Sequence, residues 1–204
     1  MLVLPCGEHA ALVELSDLTE VLGLYATLRR EPLDGVTELV PAARTLLVRF
    51  DRRVTGVDRI AAQLSGRPIG PAEDHHRDEV TIEVRYDGED LEEVASLSGL
   101  PVREVVERHV TAAYTSAFCG FAPGFAYLVG LHRSLWVPRR DSPRTRVPTG
   151  AVAIADEYAA VYPRESPGGW RIIGHTDAPV WDLERTPPTL LAPGTPVRFV
   201  EVTP

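Results

Sequence analysis

Three stretches in the second half of the chain carry residue types from which a small-molecule site could be built. Residues 118–130 read FCGFAPGFAYLVG. Gly120 and Gly124, with Pro123 between them, let a backbone bend sharply or approach a ligand closely, and the aromatic residues Phe121, Phe125 and Tyr127 could wall a pocket. The ordinary alternative is that the rings are core and the glycines are barrel corners. Residues 138–148 read PRRDSPRTRVP and gather Arg139, Arg140, Arg144 and Arg146 in a Pro-stiffened loop. Guanidinium forks so clustered suit phosphate or carboxylate; the alternative is a solvated loop in which Arg144 pairs with Asp141. Residues 165–170 read ESPGGW. Gly168 and Gly169 could present adjacent N–H groups to an oxyanion, or form a tight hairpin with Trp170 opening the next strand.

Other titratable groups point less clearly to chemistry. His109 closes a predicted helix just before the glycine-aromatic stretch, as a general base or as a cation capping the helix C-terminus. His75 and His76 are adjacent but have no third ligand at metal spacing, so no metal site is expected. His132 falls in a turn and His175 follows a glycine; no Ser/His/Asp order can be assigned, because triads are assembled in space. Asp87, Asp90, Glu92 and Glu93 sit around a helix start, where carboxylates favour the dipole. Cys6 and Cys119 have neither metal spacing nor the numbers for a disulfide framework.

Composition narrows the classes. The 204 residues include 44% hydrophobic side chains, enough for a packed core, and carry a formal net charge of −8. That balance excludes a basic nucleic-acid footprint and attraction to anionic membranes. Every basic residue is Arg; the absence of Lys rules out a P-loop and Schiff-base chemistry. No run approaches the roughly 20 apolar residues of a membrane helix, and the first residues have no basic n-region. A cytoplasmic location is the resulting expectation.

The elements that must position these residues differ between the two halves. Ala10 to Leu15 reads as a strand, and Ser16 and Asp17 cap a helix in which Leu18, Val21, Leu22, Tyr25 and Leu28 recur at helical spacing. Strands follow at 36–40 and 45–50, a helix at 57–64, a polar Pro/Gly loop, and an alternating strand at 79–86. The order β-α-β-β-α-β predicts a ferredoxin-like α/β domain over residues 1–85. Beyond it, Asp90 caps one short helix and Pro101 opens another. After Tyr114 the helical period stops, and the short apolar runs VAIA, VYP, WRIIG and VRFVEV alternate with turn clusters. Residues 86–204 therefore predict a compact β-barrel or sandwich, giving an α+β chain.

Taken together, GFAPGFAYLVGL, PRR-x-x-PRTRVP-x-G-x-VAIA, YP-x-x-SPGGW-x-IIG and PGTPVRF resemble the carboxyltransferase-domain family, subdomains C and D. That family includes the B subunits of 5-oxoprolinases, allophanate hydrolase subunit 1, sporulation-kinase inhibitor proteins and part of urea carboxylase. The resemblance spans nearly the whole chain and implies that the second domain is a cyclophilin-like β-barrel. It implies one component of an ATP-dependent 5-oxoprolinase, inactive alone, that works with the C and A subunits of that enzyme to open 5-oxoproline to glutamate. ATP would be used by the complex rather than by a P-loop of this chain. Carried onto these residues, the resemblance implies Arg139, Arg140 and Arg144 as anion ligands, with Arg144 catalytic, and His109 as proton carrier. Phe121, Pro123, Gly124, Tyr127, Pro167, Gly168, Gly169 and Trp170 would surround the amide or lactam. The family's other members leave two alternatives, a histidine-kinase inhibitor with an exposed apolar docking face and a component resembling an allophanate or urea carboxyltransferase. The sequence departs from the family pattern at Ala151, Glu157, His175 and Thr195, which bears on substrate choice.

Overall fold

A computed structural model describes residues 1–71 and 78–203; the adjacent His75 and His76 lie outside these described residues. The chain divides into two compact units, Met1–His75 and His76–Pro204.

The first unit comprises β1 (Leu2–Pro5), β2 (Ala10–Glu14), α1 (Leu18–Arg30), β3 (Val36–Pro41), β4 (Thr45–Phe50) and α2 (Val57–Leu64). α1 begins where the sequence places its cap. Asp17 Oδ1 accepts the Glu20 N–H at 2.9 Å, and the Glu20 carboxylate accepts the Ser16 N–H at 3.0 Å, so donors left over at the helix start find partners. The four strands form an antiparallel sheet in the order β1-β2-β4-β3. Val21, Leu24 and Leu28 of α1 and Ile60 and Leu64 of α2 pack with Val13, Leu46 and Val48 in its core.

The second unit comprises β5 (Val80–Val84), α3 (Leu91–Ser98), α4 (Val102–Thr111), β6 (Tyr114–Cys119), β7 (Ala126–Val129), a short 3-10 turn (Arg133–Leu135), β8 (Arg144–Val147), β9 (Ala151–Ala155), β10 (Tyr158–Val161), β11 (Ser166–Gly168), β12 (Arg171–His175) and β13 (Pro196–Glu201). Seven of the strands form one sheet, ordered β12-β9-β10-β7-β6-β13-β5. Its two ends meet where Arg85 and His175 exchange both backbone hydrogen bonds, at 2.9 and 2.8 Å. The sheet is thus a nearly closed barrel, which removes the exposed edges a flat sheet would leave. β8 and β11 form a separate two-stranded ribbon. No helix among the described residues is long and apolar enough to cross a membrane.

The strand that follows α2 corrects the expected organisation. A ferredoxin-like order would return that strand to the edge beside β2. β1, which the sequence reading did not foresee, already fills that edge. β5 instead pairs in parallel with β13 over Val80–Val84, and its Ile82 and Val84 are fully buried in the second unit's core. The first unit keeps the ferredoxin-like sheet order with its fourth strand supplied from the N-terminal side, and the boundary precedes β5 rather than following residue 85.

Strand alternation assigns two faces to the barrel wall. Leu128, Val152, Ile154, Ala159, Val161 and Ile173 join the core beneath α3 and α4. Their neighbours Ala151, Ala153, Ala155, Ala160, Tyr162 and Ile172 join a second, aromatic cluster on the opposite face.

The position of β5 gives a direct test. A fragment starting at residue 78 should unfold cooperatively in urea and show dispersed amide NMR signals. One starting at residue 86, which strips β13 and β12 of their neighbour on one side and opens the barrel, should show neither.

Candidate functional site

The loop joining β6 to β7 is two tight turns in series. The Ala122 N–H donates to the Gly120 carbonyl at 2.7 Å across Phe121, whose φ is +65°. This is the rare, strained form of the γ-turn, and for a bulky aromatic residue it costs on the order of 1–3 kcal/mol. The Phe125 N–H then donates to the Ala122 carbonyl at 3.0 Å, with Pro123 and Gly124 (φ +81°) at the centre. Pro followed by a residue of positive φ is a type II turn. Any side chain at Gly124 would also meet Trp181, whose Cβ would lie at 2.6 Å. The result leaves the Phe121 ring 62% exposed while Phe125 is buried.

Phe125 is the hub of the aromatic cluster. It meets Tyr127, Tyr162 and Trp170 edge-to-face at centroid distances of 5.2, 5.2 and 5.5 Å, the arrangement that ring quadrupoles favour. The rings fit because β9 offers only alanines on this face. Where they stop, a hollow of about 250 Å³ remains, walled by Phe121, Phe125, Tyr127, Tyr162 and Trp170 on one side and by Arg139, Pro143, Pro167, Gly168 and Gly169 on the other. The Arg139 guanidinium lies 5.9 Å from the Trp170 ring centre, within cation–π range. Among the described residues its carboxylate neighbour is Asp156, 3.8 Å away, and both side chains are more than half exposed. Gly168 must be glycine, since a Cβ would fall 2.3 Å from the Tyr162 hydroxyl. Burial raises the Tyr162 phenol above its ordinary pKa, against the opposing hydrogen bond from Trp170 and the charges of Arg139 and Arg144.

The sequence-predicted residues sort into four places. Phe121, Tyr127, Arg139, Pro167, Gly168, Gly169 and Trp170 share the hollow. Pro123 and Gly124 line a neighbouring hollow of about 410 Å³ with Trp181 and Thr189, and Phe121 is the wall between the two.

Arg140 and Arg144 stand apart, and the expected three-arginine clamp is not the arrangement found. Their guanidinium groups are taken up by Asp90, which is 2% exposed. Asp90 Oδ1 accepts from Arg140 at 2.6 Å and from Arg144 at 2.8 Å, while Oδ2 accepts from Arg144 at 2.8 Å and from the Ile172 N–H at 2.7 Å. Burial alone would raise this carboxyl, but the Arg144 hydrogen bonds, the Ile172 N–H and the two positive charges outweigh it and hold the pKa below the ordinary value. The expected cap at Asp90 is also corrected, because its side chain makes no capping bond to α3. Neither is Arg144 paired with Asp141.

His109 is likewise elsewhere. It is fully buried between Tyr114 and Phe199, with Nδ1 2.7 Å from the Tyr86 hydroxyl. Burial pushes its pKa down to about 3. A ring sealed from solvent and neutral at ordinary pH is a core residue in this arrangement, not a proton carrier for the hollow.

Sequence reasoning missed Tyr162 and Pro143 as lining residues, and Asp90 as their neighbours' anchor. Pro143 lies inside the arginine-rich stretch and Tyr162 just before ESPGGW, so the signal was proximity. Asp90 gave none, lying 50 and 54 residues from its arginines.

Known proteins share this sequence and fold. The family model described as carboxyltransferase domain, subdomain C and D, matches residues 1–191. The chain is 36% identical over 192 residues to the 5-oxoprolinase B subunit of Bacillus subtilis (strain 168), a match covering 87% of this chain and 80% of that protein. It is 48% identical over 113 residues to the 5-oxoprolinase B subunit of Escherichia coli O157:H7, covering 55% of this chain and 52% of that protein. The crystal structure of TTHA0988 superposes with a TM-score of 0.80 at 36% identity; the match covers 97% of this chain but spans only 40% of that one. The K. lactis urea amidolyase shares the fold, with a TM-score of 0.74 at 19% identity over 100% of this chain and 16% of its own.

His109 predicts a specific pH response. Its folded pKa lies below the unfolded value of about 6.5, so the unfolded chain takes up the proton first. The contribution is complete above about pH 6.5 and is lost as pH falls towards 3. Urea midpoints should give a loss of about 2–3 kcal/mol between pH 6.5 and 4.5. In His109→Gln that part of the slope should vanish; an unchanged slope would contradict the assignment.

Proposed function

The chain belongs to the carboxyltransferase-domain family, subdomain C and D, and from that membership we propose that it is the B subunit of an ATP-dependent 5-oxoprolinase. The relatives at 36% and 48% identity carry that name. The observation that carries the reading is the aromatic-walled hollow with a single guanidinium, that of Arg139, at its side.

5-Oxoproline is a five-membered lactam with a ring carboxylate, nine non-hydrogen atoms in all. Its ring faces suit the walls of Tyr127, Tyr162 and Trp170. Its carboxylate suits Arg139, whose charge-assisted hydrogen bonds would fix the ring's orientation. The bare backbone at Gly169 leaves room for the amide edge to approach the main chain. Phe121 and Pro167 stand at the exposed rim of the hollow.

The size of the hollow favours a ligand of the dimensions of 5-oxoproline over ATP. About 250 Å³ falls below the range for drug-sized ligands, and a nucleoside triphosphate is larger still. In the complex, ATP supplies the phosphoryl group that turns a stable amide into one that water can open. This chain's part is to bind and orient the lactam. It is inactive alone, works in the cytoplasm, and needs the C and A subunits to complete the reaction.

Reconstitution with the C and A subunits provides the test. ATP-dependent release of glutamate from 5-oxoproline should require this chain; equal rates with and without it overturn the reading. Arg139→Ala should raise KM about 10- to 100-fold, the loss of one charge-assisted contact, while the urea midpoint moves by no more than about 0.5 kcal/mol, as for an exposed side chain.

A further inference from the structure

We infer that Asp90 is the positioning residue for the candidate site, setting where the ribbon wall of the hollow stands against the aromatic wall. The inference rests on the proposed 5-oxoproline reading for its kinetic consequence, and on geometry alone for its structural one.

The two walls are held by different forces. Phe125, Tyr127 and Tyr162 belong to the barrel strands or continue directly from them, and packing fixes them. Arg139, Pro143, Gly168 and Gly169 belong to the ribbon and its flanks, which offer few apolar side chains to anchor. Each of them sits beside something that Asp90 holds. Arg139 precedes Arg140 and Pro143 precedes Arg144, the two arginines bound to the carboxylate. The Arg140 backbone N–H donates to the Gly169 carbonyl at 2.8 Å, and Gly168 pairs with Arg144 across the ribbon. Beyond Trp170, the Ile172 N–H donates to Asp90 Oδ2 at 2.7 Å, and the Asp90 N–H donates to the Ile172 carbonyl at 2.9 Å. One buried carboxylate thus ties both strands of the ribbon and the start of β12 to the head of α3.

The chemistry explains why an acid stands there. A buried carboxylate loses several kcal/mol of hydration and persists only when its lone pairs are met. Asp90 uses none of its side-chain bonds to cap α3. Its four contacts all reach residues 50 to 82 positions away. Asn in its place would keep the size but replace one acceptor oxygen with a donor facing guanidinium groups, so at least one arginine would be released.

Hydrogen–deuterium exchange on the full chain tests the structural part. In Asp90→Asn, peptides covering 138–146 and 166–172 should exchange at least about tenfold faster, while peptides from β6 and β7 keep their rates. Uniform acceleration across the barrel, or none, overturns the inference, since a merely stabilising role affects all strands alike. In the reconstituted enzyme the same variant should raise KM for 5-oxoproline about tenfold while kcat changes by less than about threefold; unchanged KM with the wall loosened would sever the wall from binding and also overturn it. If Asp90→Asn does not fold, Arg140→Gln, which keeps the bidentate Arg144 pair, is read by the same two measurements. Localised loosening in an enzyme whose wild type releases no glutamate would reject the substrate and keep the anchor.

Discussion

Strands β9, β10 and β12 bury both of their faces, and this constraint shapes everything around the site. A strand with one wet face can accept almost any polar residue there. A strand buried twice must be largely apolar, with any charged member paired as Arg171 is with Glu93, and the two sets of side chains must fit different neighbours. β9 meets this with Val152 and Ile154 towards the helices and with Ala151, Ala153 and Ala155 on the other face. The alanines are as necessary as the branched residues. Phe125, Tyr162 and Trp170 pack over them, and larger residues would displace the rings, because interiors at crystal-like density have no slack. The hollow is therefore the place where this packing ends against a ribbon built of glycine and proline.

Charge behaves differently in a chain whose only basic side chain is arginine. With 29 acidic and 21 basic residues, a cluster of guanidinium groups finds carboxylates more readily than it stays free for a ligand. Arg140 and Arg144 bind Asp90, Arg171 binds Glu93, and Arg146 binds Glu165. Among the described residues, the carboxylate contact of Arg139 is the long one to Asp156, and Arg139 is the arginine that reaches the hollow. Local clustering in sequence measured the density of arginine correctly but not its availability, which depends on partners brought in by the fold.

What could be read from the sequence follows the same division. Periodicity and caps located α1, α2 and most barrel strands, because those signals are local: the Ser16–Asp17 cap, the alternation of β5, the apolar runs of β9 and β12. The glycine-aromatic stretch pointed to the hollow because its turns are encoded by Pro123 and Gly124 themselves. The partner of β5 was not legible. Its alternation fits either sheet, and the choice is made by β1, a strand too short and exposed to announce itself. His109 could not be distinguished from a helix-capping cation, since its burial depends on Phe199, 90 residues further on. Asp90 read as an ordinary helix-start acid for the same reason.

The four departures from the family pattern acquire a physical meaning from where they fall. Ala151 lies in the alanine face beneath the rings. Glu157 neighbours Tyr158, whose phenol is pushed up to about 12 by burial first and by the Glu157 charge second. His175 sits at the seam of the barrel, its Nδ1 2.7 Å from the Asp87 carboxylate. Thr195 is buried, and its carbonyl accepts the Ser116 N–H at 2.9 Å. None of the four lines the hollow. A substitution changes specificity directly when it changes what a ligand touches, and these change what the barrel touches. The surface of the hollow is formed instead by residues such as Phe121, Tyr127, Arg139, Gly168, Gly169 and Trp170. These four positions therefore bear on the framework of the barrel rather than on the lining of the hollow.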